Sequence, residues 1–282
     1  MTRAVNPNAG RLVAAAVLAT LTLVASAAPA LATPAAGSAA SFGVWHPQDD
    51  FAGSQIAVHE GVRGAMTTQD ASSPLGLDVS SHQGTIAWAS VAGSGAVFGY
   101  VKATEGTYYV NPNFAAQYNG SYQAGLIRGA YHFATPNTAD GVSQADYFLA
   151  HGGGWSNDGK TLPPAIDLEY NPYGDTCYGL TPAALVAWVH AFVNEIKAHI
   201  GIYPTIYTST SWWGRCTGND NSFGADPLWI PRYGSSVGGL PAGWTAQTIW
   251  QYADSGTFPG DQDVYNGSVT QLRGFAKTGL TA

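Results

Sequence analysis

From Leu75 to the C-terminus the chain alternates between two hydrophobic patterns. Short apolar runs, typical of buried β-strands, are separated by longer stretches with the three- to four-residue spacing of amphipathic helices. The runs predict strands at 75–79, 96–102, 127–133, 163–168, 204–208, 228–232 and 247–252, with a last one near 262–265. The spaced stretches predict helices at about 86–93, 112–124, 140–151 and 181–199.

The helix predicted at 181–199 has the clearest signals. Thr181 can cap its N-terminus, and Pro182 fits its first turn. Its apolar face consists of Leu185, Trp188, Val189, Phe192 and Ile196. Because helices lie between most of the early strands, the sheet should be parallel, whereas the later strands are too close for full helices. The pattern therefore predicts an α/β barrel of about five βα units followed by three short β-strands, incomplete relative to an eightfold barrel.

The first 32 residues have the three parts of a secretory signal. Arg3 and Arg11 give a positive region, residues 12–26 are apolar, and Ala-Leu-Ala at 30–32 is an A-x-A cleavage site. The apolar run is too short and too rich in alanine for a stable transmembrane anchor. We therefore expect a secreted, extracellular protein that has no membrane contact after cleavage.

Residues 33–74 differ in composition from the chain that follows. The stretch 33–41 is rich in Ala, Pro, Ser and Gly and is interpreted as a linker. The stretch 42–61 is interpreted as an ordered strap or a propeptide, and its removal is left open. Its histidines, His46 and His59, match no metal-ligand spacing, so no metal site is expected. Residues 75–282 have the length of one catalytic barrel domain.

The chain that remains after signal cleavage is acidic. Residues 1–32 carry two of the 11 basic residues and none of the 18 acidic ones, which leaves a net charge of −9. This charge argues against nucleic acid or an anionic membrane as the partner. Charged residues make up only 10% of the sequence, while 9 Trp and 15 Tyr suit either stacking on neutral sugar rings or a core.

The chain has two cysteines, Cys177 and Cys216. Two cysteines in an exported protein predict one disulfide, which would tie the loop after the fourth predicted strand to the loop after the fifth. A metal pair or a catalytic thiol is the alternative, and no further ligands lie near either cysteine in the sequence.

Polar side chains follow or close nearly every predicted strand. In a parallel barrel the C-terminal strand ends share one face, where the active site is built. The residues in such positions are Asp78, Glu105, Tyr131, His132, Asp167, Glu169, Tyr207, Arg232, Tyr233, Trp250, Gln251, Tyr252, Asp261 and Asp263. We expect this topology to gather them at a single mouth.

The most informative unit is Asp167-Leu168-Glu169. Positions two apart on a strand point to the same side, so both carboxyl groups should enter one cavity while Leu168 packs outward. Two like charges this close raise the pKa of one group. A carboxylic acid that stays protonated is the general acid that a glycosidic oxygen requires. We assign that role to Glu169, whose side chain reaches further, and leave Asp167 ionised.

Structural roles are the alternatives for some of these residues. Asp78 could cap a turn through Ser80, and Lys102 and Glu105 could form a local ion pair without a catalytic role. The sequence has no nucleophile elbow, zinc-protease motif, Walker motif or dinucleotide-binding motif in a suitable setting. No cofactor is therefore expected.

Five segments stand in order along the predicted barrel. They are Gly76–Gly84 (GLDVSSHQG), Lys102–Gly106 (KATEG), Arg128–Phe133 (RGAYHF), Asp167–Glu169 (DLE) and Trp250–Tyr252 (WQY). Together they resemble the signature blocks of glycoside hydrolase family 25, the Chalaropsis-type lysozymes, and within it the secreted actinobacterial muramidases. The resemblance extends from Leu75 to the C-terminus. It implies a flattened, incomplete (β/α) TIM-like barrel and a disulfide like Cys177–Cys216.

The resemblance also implies roles for individual acids. Glu169 would be the proton donor, and Asp78, Asp167 and an aspartate of the last strand would complete an acidic cluster. We assign that aspartate to Asp263, which closes the Gly-Asp-x-Asp unit at 260–263, with Asp261 as the alternative. The first block departs from the family pattern at residues 81–82, where an aromatic residue is usual, and this departure would affect a sugar subsite only.

These observations predict a lysozyme that hydrolyses the β-1,4 bond between N-acetylmuramic acid and N-acetylglucosamine. Its partner would be the peptidoglycan glycan strand, and the protein would act as a monomer. Glu105, Tyr131, Tyr207 and Trp250 are expected to contact sugar, with a core role as the alternative for each aromatic. The substrate's own acetamido group, held by Asp167, is expected to attack the anomeric carbon, and an aspartate nucleophile or a water is the alternative.

Two other functions fit the same residues less well. A chitinase-like hexosaminidase also carries an acid at a barrel strand end. A non-catalytic wall-binding module could use the same scaffold, although a binder has little reason to hold four like charges in one pocket.

Overall fold

Eight strands form a closed barrel in the computed structural model, which describes residues 45–61 and 73–281. The strands are β1 (Leu75–Val79), β2 (Ala96–Glu105), β3 (Tyr109–Val110), β4 (Ile127–Phe133), β5 (Ala165–Asp167), β6 (Thr205–Tyr207), β7 (Leu228–Pro231), β8 (Ile249–Ala253) and β9 (Asp261–Tyr265). The helices are α1 (Ile56–Glu60), α2 (Trp88–Gly93), α3 (Phe114–Gln123), α4 (Gly141–Ala150), α5 (Pro182–Ile200), α6 (Thr210–Thr217) and α7 (Val269–Thr278). The predicted signal at 1–32 and the stretches 33–44 and 62–72 lie outside the described residues.

The strand order around the barrel is β1-β9-β8-β7-β6-β5-β4-β2, and β1 pairs with β2 to close it. Strand β3 only extends the edge of β2. All neighbouring barrel strands are parallel except β9, which runs antiparallel to both β1 and β8. Helices α2 to α6 make five βα units, and β7, β8 and β9 follow as short strands, so the predicted architecture is confirmed.

Helix α5 forms where its sequence signals place it. Thr181 accepts a hydrogen bond from the amide of Ala184, Pro182 opens the helix, and Gly201 ends it in the left-handed conformation. Leu185, Trp188, Val189, Phe192 and Ile196 are buried in the cluster between the barrel and its helices. The helix thereby supports β5 from outside, which positions the acidic unit at the end of that strand.

Alternation along the strands separates two hydrophobic clusters. The inner one, inside the barrel, includes Ala165, Tyr207 and Trp229. The outer one includes Ile166 and Leu168, which neighbour Ala165 and Asp167 along β5 but face the helices. The prediction that Leu168 packs outward is therefore confirmed.

A disulfide joins Cys177 and Cys216 across 39 positions of sequence, with 5.3 Å between the Cα atoms. Cys177 lies in the loop after β5, and Cys216 lies in α6, which follows β6. The predicted pairing is confirmed, and it fastens the rim of the barrel mouth. Within residues 45–61 and 73–281, no helix combines the length and the apolar character that crossing a membrane requires.

Asp226 provides a pH test of the fold away from the barrel mouth. It precedes β7 at the opposite end of the barrel, it is 4% exposed, and its Oδ1 has no hydrogen-bond partner. Burial raises its pKa to about 8. A raised carboxyl pKa stabilises the fold at low pH, and that stabilisation is lost as the pH rises through about 8.

We therefore expect Asp226→Asn to stabilise the protein selectively at alkaline pH. The gain in the free energy of unfolding should be small at pH 5 and grow to about 1–3 kcal/mol at pH 9, because asparagine carries no charge to bury. Denaturant unfolding across this pH range measures the gain. Asp254→Asn, at an exposed position, is the matched control. A gain for Asp226→Asn that is independent of pH would contradict the assignment.

Candidate active site

Five carboxyl groups lie at the mouth where the parallel strands end. Each of them is at most 2% exposed, and they belong to Asp78, Asp167, Glu169, Asp261 and Asp263. They come from β1, from the end of β5 and from β9, which are separated by long stretches of sequence. The barrel therefore brings the predicted acidic cluster together.

The register of the last strand places two aspartates beside the first. Asp78 and Asp261 are direct partners across the β1–β9 pair, and Asp263 lies opposite Gly76, two positions deeper. Because β9 is antiparallel, its N-terminal end lies at the mouth, so Asp261 is the outer and Asp263 the inner of the two. Asp263 Oδ1 accepts a hydrogen bond from Trp229 Nε1 at 2.8 Å.

Burial changes the acidity of the whole cluster. It is the main reason why the pKa values of Asp167, Glu169, Asp261 and Asp263 all lie well above the usual range. Repulsion from Glu169 adds to the effect on Asp167. Burial also raises the pKa of Asp78 to about 7, although a hydrogen bond from Gln251 works against it. Protonated carboxylic acids are therefore available here near neutral pH, and the same burial works against the ionised state that the sequence predicts for Asp167.

Gln251 is the centre of a polar network beneath the acids. Its Nε2 donates to Asp78 Oδ2 at 2.8 Å. Its Oε1 accepts from the hydroxyl groups of Tyr207 at 2.8 Å and Tyr233 at 3.0 Å. These hydrogen bonds fix the orientation of the amide and, through it, of the Asp78 carboxyl group. Asp78 therefore does not cap a turn, and Ser80 instead caps the short turn at Ser81–Gln83.

A buried ion pair forms the second part of the site. Lys102 Nζ donates to Glu105 Oε2 at 2.6 Å, and both side chains are fully buried. Glu105 Oε1 also accepts from the hydroxyl groups of Tyr108 and Tyr173, each at 2.7 Å. The local ion pair that the sequence left open is therefore present.

Tyr131 and Tyr207 point into the barrel, where both belong to the inner cluster. Trp250 does not, so its expected sugar contact stays a prediction that the placement of the ring does not favour. Its indole belongs to the outer cluster and donates to the carbonyl of Arg232 at 2.8 Å. Strand alternation explains this placement, because the neighbouring Gln251 takes the inward position. His132 is also outside the site: it is buried between Thr104 and Gln144, and burial lowers its pKa to about 3.

The stretch 45–61, which we call the strap, lies over this mouth. It contains helix α1, and its backbone donates hydrogen bonds to both carboxyl oxygens of Glu169. The acids are therefore covered by a segment of their own chain.

Sequence reasoning missed Tyr173 and gave Gln251 and Tyr233 no role at the mouth. Gln251 and Tyr233 were noted only as strand-end residues, although a buried amide beside an aspartate is a common positioning device. Tyr173 was unmarked, since it lies in a loop that has no periodic pattern. Asp261 was kept as an alternative to Asp263, and both carboxyl groups are buried at the mouth.

A TIM-like barrel with clustered carboxyl groups at its carboxyl-end mouth is the arrangement of a glycoside hydrolase. The model of Glycosyl hydrolases family 25 matches residues 77–261. The chain belongs to this family.

Relatives of known name agree with this membership. The N,O-diacetylmuramidase of Chalaropsis sp. is 48% identical over 206 residues, which are 71% of this chain and 98% of that protein. Lysozyme M1 of Streptomyces globisporus is 45% identical over 213 residues, 73% of this chain and 72% of that protein. The crystal structure of the bacterial lysozyme from Streptomyces coelicolor superposes with a TM-score of 0.72 at 43% identity, covering 75% of this chain and all of that chain.

Proposed function

We propose that this protein is a secreted N-acetylmuramidase, which hydrolyses the β-1,4 bond between N-acetylmuramic acid and N-acetylglucosamine in peptidoglycan. The observation that carries the proposal is the burial of Glu169 beside Asp167 at the barrel mouth, in a chain similar to proteins named as muramidases and lysozymes. Family membership supports the reaction class, and the predicted signal at 1–32 supports export.

Glu169 is the proposed general acid. Its raised pKa keeps a proton on the carboxyl group near neutral pH. This proton passes to the glycosidic oxygen while the bond from that oxygen to the anomeric carbon breaks. The resulting carboxylate then accepts a proton from the water that completes hydrolysis.

Asp167 is the proposed partner of the substrate's acetamido group. Both of its oxygens are buried without a hydrogen-bond partner, so an N–H donor from the substrate would satisfy one of them. An acetamido group held in this way directs its carbonyl oxygen at the anomeric carbon, and a cyclic intermediate forms without an enzyme nucleophile. Asp78, whose pKa of about 7 leaves part of it ionised at neutral pH, supplies negative charge that stabilises the oxocarbenium-like state, and the aspartates of β9 lie beside it.

Tyrosines at the mouth are the proposed sugar contacts. Tyr131 and Tyr207 present hydroxyl groups inside the barrel, and Tyr233 joins them through Gln251. Glu105 lies with its tyrosine partners on the neighbouring wall of the mouth. We retain the expectation that the enzyme acts as a monomer, which sedimentation of the purified protein would test.

Product analysis tests the proposed reaction. Purified peptidoglycan is digested with the secreted protein, and the fragments are identified by mass spectrometry after borohydride reduction. Reduced muramic acid at the new ends is expected. Reduced glucosamine ends, or release of chitin oligomers alone, would support a different hexosaminidase. Wall binding without any new reducing ends would support a non-catalytic module.

The choice between Asp261 and Asp263 is testable by a pair of substitutions. We expect Asp261→Asn to lower kcat on the order of 10–100-fold and Asp263→Asn to lower it less, because electrostatic stabilisation acts on the charge that develops nearest to it. Asp261 is at the mouth, while Asp263 is held by Trp229 deeper in the barrel. Steady-state kinetics on soluble glycan fragments measure both effects, with Asp146→Asn on the exposed surface of α4 as the control. A larger loss of kcat in Asp263→Asn would support Asp263, the aspartate chosen from the sequence.

A further inference from the structure

The strap contacts the proposed general acid directly. The amide of Gly53 donates to Glu169 Oε1 at 3.0 Å, and the amide of Gln55 donates to Oε2 at 3.2 Å. Both oxygens of the one carboxyl group that must reach a glycosidic oxygen are therefore occupied by backbone of the same chain. Two N–H donors also favour the carboxylate form, which is the opposite of what an acid catalyst requires.

The strap also reaches the floor of the mouth. Ala52 is fully buried and belongs to the inner cluster of the barrel. Its amide donates to the hydroxyl group of Tyr131 at 3.2 Å, and its carbonyl accepts from Gln251 Nε2 at 2.9 Å. These are the same groups that we propose for sugar contact and for positioning Asp78. A glycan and the strap therefore cannot occupy the mouth together.

Side chains fasten the strap on both sides of this central contact. Lys102 Nζ donates to the carbonyls of Pro47 and Asp50, at 3.0 and 2.5 Å. The carboxyl group of Asp50, which is 1% exposed, accepts a hydrogen bond from the Tyr173 hydroxyl group. The strap thus contacts the side of the site that contains the buried Lys102–Glu105 ion pair.

The second fastening lies after the central contact. Glu60 accepts hydrogen bonds from the hydroxyl groups of Tyr170 and Ser209, which belong to the loops after β5 and β6. The ring of His59 stacks on Tyr170 with 4.1 Å between the centroids. Helix α1 is consequently held across the rim.

We propose that the strap, residues 45–61, is an intramolecular inhibitor, and that the enzyme becomes active when the strap leaves the mouth. The identity of the substrate that the strap excludes rests on the proposed muramidase function. The occupancy of the mouth by the strap rests on the contacts described above. The family match begins at residue 77, after the strap. The matched 206 residues make up 98% of the Chalaropsis protein, so a barrel of this length is sufficient for that relative. Cleavage of the chain between the strap and β1 is the simplest route to release.

Gly53 is the tightest point of the fit. Its φ is +97°, a conformation that favours glycine. A Cβ at this position would lie 2.7 Å from Gln251 Oε1, 2.9 Å from Asp261 Oδ2 and closer still to Tyr233 Oη. A side chain here would expel the strap without changing any residue of the barrel.

The first experiment uses the full chain with a site-specific protease sequence inserted between Thr67 and Thr68. Lysis of cell walls is measured before cleavage, after cleavage, and after the released strap has been removed by gel filtration. We expect the rate to rise at least about tenfold on removal, which corresponds to about 1.4 kcal/mol of competition. A synthetic peptide of residues 45–61 should restore inhibition.

The second experiment leaves the chain intact and compares Gly53→Asp with Gly61→Asp. Both glycines have positive φ and both variants add one negative charge, but a Cβ at Gly61 meets nothing within 4 Å. We expect Gly53→Asp to approach the lysis rate of the cleaved protein, because a strap that has left the mouth no longer competes with the glycan. Gly61→Asp leaves the strap bound and should stay within about twofold of the uncleaved rate. Hydrogen exchange at the amides of Gly53 and Gln55, measured without substrate, should show protection in the parent and loss of protection in Gly53→Asp.

Equal and measurable lysis rates for the intact and strap-free chains would overturn the inference. So would unprotected Gly53 and Gln55 amides in the intact parent, whatever the substrate. Failure of the proposed function has a different signature: the strap-free chain would produce no muramic acid ends while both amides remained protected. That result would reject the muramidase and still support occupancy of the mouth.

Discussion

Replacing Glu169 with glutamine should reduce kcat on the order of 10²–10⁴-fold while the protein remains folded. Glutamine has nearly the same shape and keeps an oxygen that can accept a hydrogen bond, but it has no proton of suitable acidity. The leaving oxygen would depart as an alkoxide, which raises the barrier. Because the general acid must carry its proton, the parent should lose activity as the pH rises through the pKa of Glu169, and this loss should be absent from the residual activity of the variant.

The measurement is turbidity clearing of cell walls together with the pH profile of kcat, with parent and variant compared in the strap-free form. Glu195→Gln on α5 is the matched control, since its carboxyl group pairs with His199 on the outer surface. The control should retain parental activity. A Glu169→Gln variant that cleared walls at a near-parental rate would remove the residue from the acid role.

Replacing Lys102 with methionine should destabilise the protein by about 3–5 kcal/mol, the usual cost of breaking a buried ion pair on one side. Lys102 and Glu105 are fully buried, and the substitution would leave the Glu105 carboxylate without its positive partner. Lys102 also lowers the pKa values of Asp167 and Glu169 by its charge. The loss of Lys102 should therefore raise both pKa values further.

Urea unfolding at pH 7 measures the change in the free energy of unfolding, and Lys277→Met at an exposed position is the control. The double variant Lys102→Met/Glu105→Gln should recover part of the loss, because it removes the uncompensated charge as well. If the free energy of unfolding of Lys102→Met lay within about 1 kcal/mol of the parent value, this buried pair would contribute as little as a surface ion pair usually does.

The strap changes what activity measurements on this protein mean. Its backbone donates to Glu169, and its Ala52 lies in the inner cluster of the barrel. The carbonyl of its Asp50 accepts a hydrogen bond from Lys102. Kinetic constants of the intact chain therefore report competition with the strap as well as catalysis. Comparison of site variants is cleanest after the strap has been removed.

Local sequence was sufficient for most of the fold. The apolar runs located all eight barrel strands, and periodicity located α2, α3, α4 and α5. Helix α6 was missed because it is only eight residues long and contains Gly214, and α1 and α7 were not predicted either. The two-residue β3 has too few positions to show any alternation.

The site also contains residues that the sequence revealed and residues that only the structure could place. The acids were found because a charged residue at the end of an apolar strand is conspicuous in the chain itself. Residue type alone could not decide which of the neighbours Trp250 and Gln251 faces inward, because this depends on the register of β8 with β7 and β9. The order of Asp261 and Asp263 in depth depends on the antiparallel direction of β9, which no local pattern encodes.

The amino-acid sequence by itself determined the βα succession, the disulfide and the set of carboxyl groups, since these follow from hydrophobic period, cysteine count and residue type. Only the tertiary structure decided that β1 pairs with β2 to close the barrel, that Trp250 belongs to the outer core, and that the strap fills the mouth. Each of these depends on contacts between residues far apart in the chain, which composition and spacing do not specify.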